Sequence, residues 1–106
     1  MSRIAIRVLA AALVLAAPVA ARAADAKIVI DMFKFGPPEV TVKAGQSVEW
    51  LNKDQSPHSV VAKDGSFRSP ALDTGAKWTH VFAKAGVFAY YCGFHPYMTA
   101  TVKVTP

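Results

Sequence analysis

The sequence predicts a small all-β domain, an antiparallel sandwich or barrel, on three observations. Hydrophobic and polar residues alternate in short runs after Ala24. Turn residues separate those runs at regular intervals. No segment there sustains the 3.6-residue period of an amphipathic helix. The first run, Lys27 to Phe35, is a strand with weak alternation, closed by Gly36-Pro37-Pro38. Val40 and Val42 then alternate with Glu39, Thr41 and Lys43 up to the Ala44-Gly45 turn, and Val48 and Trp50 alternate with Ser47 and Glu49. Val60 and Ala62 share parity with His58 and lead to Asp64-Gly65. Phe67 to Thr74 carries no strand pattern and reads as a crossing loop before Gly75. Trp78 and Phe82 share parity with His80, and Ala85-Gly86 follows. Phe88 and Tyr90 share parity with Cys92; Ala100, Val102 and Val104 share parity with Met98. These are seven strands, with Phe33, Phe35, Trp50, Phe67, Trp78, Phe82 and Phe88 as the expected aromatic core.

The chain has 106 residues, enough for one domain. Residues 1–23 read as a cleaved export signal: Arg3 and Arg7 form a positive start, Val8 to Ala17 is unbroken and apolar, and Ala21-Arg22-Ala23 fits the small-x-small cleavage pattern. The whole apolar stretch from Val8 to Ala21 is 14 residues, too short to span a bilayer, which takes about 20 residues, and Pro18 interrupts it. The expected mature domain is residues 24–106, in the periplasm and without stable membrane insertion. The leader holds three of the twelve basic residues, so the domain carries nine against seven acidic ones, net +2. No basic cluster remains, and nucleic-acid binding loses its support.

Export makes the single Cys92 informative, because an oxidising compartment favours disulfides and this cysteine has no partner in its own chain. It is an inert thiol, half of an intermolecular disulfide, or a metal ligand. Its surroundings favour the last. Tyr91-Cys92-Gly93-Phe94-His95-Pro96-Tyr97-Met98 places Cys, His and Met at every third residue, and Gly93 and Pro96 let the loop curl. His58 has core parity and follows Pro57. Thiolate, two imidazoles and a weak thioether suit copper; structural zinc takes Cys and His without Met. Taken singly, each residue has a plainer reading: a core histidine, a packing methionine, a buried thiol. Their conjunction points to a metal.

These residues resemble the cupredoxins, the small blue-copper proteins, and within them the amicyanin and pseudoazurin group, which shares the Cys-x-x-His-x-x-Met spacing. Trp50-Leu51-Asn52 before Pro57-His58, Phe67 to Gly75, Trp78 to Phe82 and Gly86 to Cys92 extend the likeness over most of the mature chain. The resemblance implies a Greek-key β-sandwich and one type 1 copper. It also implies His58, Cys92 and His95 as equatorial ligands, Met98 as the axial one, and Asn52 and Ser59 supporting the His58 turn. Two departures stand out: Gly93-Phe94 replaces Thr-Pro between the Cys and His ligands, and Ser59 follows His58 where the family often has Asn.

The function expected is one-electron transfer between exported redox proteins, a cytochrome or a dehydrogenase, by a monomer that is not an enzyme. Phe94, Pro96 and Tyr97 around His95 are the expected electron-transfer surface; loop packing is the plainer reading. Copper delivery or sequestration is the alternative function, although the mature chain offers only Met32 and Met98 as thioethers. A copper enzyme would need a second metal site, and His58, His80 and His95 are the only histidines, with His80 expected as an edge residue.

Overall fold

The computed structural model describes residues 22–106; the expected signal segment lies outside it apart from Arg22 and Ala23. Among the described residues no helix is long and apolar enough to cross a membrane. Eight strands among the described residues form two four-stranded sheets. The first sheet has β1 (Ala26–Asp31), β2 (Lys34–Gly36), β4 (Ser47–Asn52) and β6 (Lys77–Val81), in the order β2-β1-β4-β6. The second has β3 (Glu39–Lys43), β5 (Val61–Ala62), β7 (Gly86–Tyr91) and β8 (Thr99–Thr105), in the order β3-β8-β7-β5.

The β-sandwich is as the alternation predicts, but its sheets are mixed rather than purely antiparallel. β1 pairs with β4 in parallel, Ile28 opposite Trp50, and β3 pairs with β8 in parallel, Val40 opposite Val102. The reason is topological: the chain crosses to the second sheet as β3 before returning to the first as β4. Alternation states which face a residue takes, not which way its neighbour runs.

The faces are as expected. Ile28, Ile30, Val48 and Trp50 from one sheet meet Val42, Tyr90, Val102 and Val104 from the other, all buried. Trp50 is the hub: its ring stands 5.4 Å from Trp78, 5.5 Å from Tyr90, and 6.4 Å from both Phe67 and Phe82. The Phe67–Thr74 segment crosses as a loop, touching the sandwich through the bridges Val61 to Arg68 and His58 to Leu72.

Two expectations are corrected at the N-terminus. Lys27–Phe35 is not one strand but a hairpin, turning at Met32 and Phe33, both with positive φ (50° and 56°). Positive φ at both central residues matches the twist of a two-residue hairpin, but that turn favours Asn and Gly. Non-glycine residues there cost about 1–3 kcal/mol each and persist only where their surroundings over-determine them. Phe33 therefore leaves the core: it sits at the hairpin tip, 42% exposed, while Tyr90 takes a fully buried core position.

His80 lies on the edge strand β6, as expected, but in aromatic company. Its ring stacks on Trp78 at 5.5 Å and 15°, and lies 4.9 Å from Phe67 and 4.8 Å from Phe82. Burial among these rings lowers its pKa. The unfolded chain then binds more protons than the native state below the ordinary histidine value of about 6.5. Stability from neutral His80 is complete above that value and declines as pH falls through it. Urea titrations at pH 7.5 and 5.5 are expected to show a smaller loss of stability in His80→Phe than in wild type; equal losses would place the pH dependence elsewhere.

Candidate metal centre

The site is built where loops leave the ends of the sheets. Asn52, fully buried at the end of β4, shapes the first. Its amide donates to the carbonyls of Ser56 (2.9 Å) and Leu72 (2.8 Å), and its Oδ1 accepts the Asp54 N–H (2.9 Å). His58 is clamped from both sides: its N–H donates to the Leu72 carbonyl and its carbonyl accepts the Leu72 N–H. The second loop joins β7 to β8. It is closed by the Cys92 N–H on the Met98 carbonyl (3.0 Å) and the Met98 N–H on the His95 carbonyl (2.9 Å).

These loops bring His58, Cys92 and His95 together. Cys92 Sγ lies 3.5 Å from His58 Nδ1 and 3.8 Å from His95 Nδ1, and the three donor atoms all fall within 4.8 Å of one another. Ligands bonded at about 2.0–2.3 Å in a trigonal set stand roughly 3.5–4 Å apart, so the spacing fits one ion held by all three. His58 and Cys92 are fully buried, His95 is half-buried, and Met98, also buried, ends the same loop just before β8. Phe94 and Tyr97 are 51% and 72% exposed, and Pro96 is exposed beside them.

Ser59 and Gly93 join the two loops. The Ser59 N–H points at Cys92 Sγ (3.5 Å), and Ser59 Oγ accepts the Gly93 N–H (3.0 Å). A Cβ on residue 93 would fall 2.6 Å from Ser59 Oγ and 3.4 Å from Val61 Cγ2. A side chain on residue 93 would therefore collide with Ser59 Oγ where it now stands. Gly93→Ala is expected to break the Ser59 bond and lower the Tm of the metal-free protein by several degrees, since overpacking costs about 1–3 kcal/mol. Gly93→Ala combined with Ser59→Gly is expected to recover most of the loss; a double variant as unstable as the single one would refute the steric pairing.

Two contributors lay outside the sequence reading. Asp54, four residues before His58, accepts the His58 Nε2–H at 2.7 Å, with a side chain only 9% exposed. Burial opposes its charge, but bonds from the Phe33 N–H, from His58 and from the Met32 N–H outweigh it and hold its carboxyl below the ordinary range. Phe33 stands edge-on to both histidine rings, 5.3 Å from His58 and 5.1 Å from His95. Within Asn-Lys-Asp-Gln a lone carboxylate reads as a surface turn, and Phe33 as core; only their distance in the fold shows otherwise.

A small β-sandwich that gathers one thiolate, two imidazoles and a buried thioether at one end is a copper protein by its donor chemistry. The comparisons agree. The family model described as "Cupredoxin-like domain" matches residues 4–104. Amicyanin from Paracoccus versutus is 39% identical over 87 residues, covering 76% of this chain and 66% of that protein, so the chain spans just under two thirds of the relative's length. The crystal structure of that organism's amicyanin superposes with a TM-score of 0.72 at 36% identity, over 78% of this chain and 84% of the other. A purple cupredoxin from Nitrosopumilus maritimus superposes at 0.70 with 35% identity, over 76% of this chain and all of the other. The chain belongs to the cupredoxin family, on the amicyanin-like side of it.

Proposed function

We propose that the chain is an exported one-electron carrier in which His58, Cys92, His95 and Met98 would hold copper. The observation that carries this reading is that the donors are already gathered on strand-anchored loops. A site that need not rearrange lowers the cost of changing charge. Copper supplies the one-electron couple when bound. The chain's own residues orient the imidazoles, exclude water from Cys92 and leave His95 as the half-buried edge nearest solvent. Copper handling needs ligand exchange, which clamped and buried donors oppose. The likeness to amicyanins supports the same role, and the leader pattern of residues 1–23 supports cleavage before Ala24 and action in the periplasm as a monomer.

Electrons would leave through His95, ringed by Phe94, Pro96 and Tyr97, toward an exported redox protein such as a cytochrome or dehydrogenase. An apolar rim excludes water from a small, transient contact of the kind redox pairs make. The visible spectrum of the purified oxidised protein tests the site: an intense thiolate–Cu(II) band is expected, and a colourless protein containing zinc would sink the proposal. Phe94→Asp and Tyr97→Asp are expected to slow electron exchange with a surrogate cytochrome at least several-fold while leaving that band nearly unchanged. Stopped-flow runs at several salt concentrations separate lost apolar contact from added charge, which salt screens. Wild-type rates in both variants would move the exit elsewhere.

A further inference from the structure

We propose that Asp54 is a positioning residue that ties the His58 ring to an aromatic cap, Phe33, standing over both site histidines. Asp54 Oδ2 accepts the His58 Nε2–H at 2.7 Å and the Phe33 N–H at 2.9 Å, and Oδ1 accepts the Met32 N–H at 2.7 Å. An ionised carboxylate offers about four lone-pair sites, so all three bonds fit. Because it only accepts, it holds the proton on Nε2 and leaves the lone pair of Nδ1, the atom 3.5 Å from Cys92 Sγ, free for a metal.

The same carboxylate accounts for the strained hairpin. Met32 and Phe33 are consecutive non-glycine residues at positive φ, and their successive N–H groups converge on Asp54. Asp31 Oδ1 also accepts the Met32 N–H, at 3.0 Å, whereas Asp54 is the acceptor of the Phe33 N–H. The turn sets the Phe33 ring nearly perpendicular to His58 (83°) and to His95 (88°). His58, Asp54, Phe33 and His95 thus form a closed circuit of contacts. One buried acid fixes the tautomer of one histidine and rests an apolar ring on the other, limiting water and ring movement at the exposed side of the site.

The metal readout of this inference rests on the proposed copper site; the hairpin readout does not. Amide exchange and 15N spectra of the full mature protein loaded with diamagnetic Cu(I) test it. Wild type is expected to show a slowly exchanging His58 Nε2–H and a protected Phe33 amide. Asp54→Asn and Asp54→Ala are expected to lose the Nε2–H signal. They should also speed Phe33 amide exchange about 10- to 100-fold, the scale of a lost charge-assisted bond. Transfer of copper to a Cu(I) chelator should accelerate by about 10- to 100-fold, as for other supports of metal ligands. Phe33→Leu is expected to keep the Nε2–H signal while speeding copper transfer, which separates cap from tether and does not depend on the Asp54 variants folding. Phe33 exchange within twofold of wild type in Asp54→Asn, or unchanged copper transfer in Phe33→Leu, would overturn the proposal. Should wild type hold no copper, the exchange measurements on the metal-free protein still decide the hairpin tether, so the two readings fail separately.

Discussion

Cys92→Ser is expected to abolish the intense visible band of the oxidised protein completely while the sandwich stays folded. The colour requires a copper–thiolate bond, and a serine hydroxyl is not a thiolate at neutral pH. The fold does not depend on that sulfur: the core is carried by aliphatic and aromatic packing between the sheets, with Cys92 at its margin where β7 ends. Serine is slightly smaller and can meet the Ser59 N–H that faces Sγ. The backbone bond from residue 92 to the Met98 carbonyl is unaffected by the side chain. Far-ultraviolet circular dichroism and thermal melting of the metal-free proteins are expected to agree within a few degrees. A variant that stays intensely coloured would show that another residue supplies the ligand.

Trp50→Ala is expected to be the reverse case, a large loss of stability from a residue that carries no chemistry. Trp50 is fully buried and packs on four aromatic rings drawn from the β6 strand, the crossing loop, the β6–β7 connection and β7. Truncating a buried Trp costs about 3–5 kcal/mol, through lost transfer energy and the cavity left behind. For a domain of this size that lowers Tm by on the order of 20 °C. Trp78, half-buried on the edge strand β6, supplies the control: Trp78→Ala is expected to cost clearly less in urea denaturation. Equal losses would mean that Trp50 is not the hub its ring contacts make it.

The two substitutions mark a division of labour along the chain. The core is made of period-two runs, and the residues proposed to hold copper sit where such runs end. Cys92 follows β7, Met98 precedes β8 and His58 lies beyond β4. Ser59 and Gly93 lie in the loops between these ends, where the Gly93 N–H donates to Ser59 Oγ and a side chain on residue 93 would collide with it.

Sequence alone determined the β-sandwich, the faces of its strands and a donor set that suits copper. Alternation fixes which side chains are buried, because successive residues of a strand point to opposite faces. The spacing of Cys92, His95 and Met98 in one tight loop leaves copper as the ion that suits thiolate, imidazole and thioether together. Tertiary structure decided what no local pattern encodes. It made β1/β4 and β3/β8 parallel, because strand direction depends on how the chain crosses between sheets. It turned the Lys27–Phe35 run into a hairpin at Met32-Phe33, a pair with no turn propensity, where the Asp54 carboxylate reaches their N–H groups from more than 20 residues away. It also took Phe33 out of the expected core and set it over the histidines. Such contacts join residues far apart in the chain and enter the energy only once the sheets have brought the loops together.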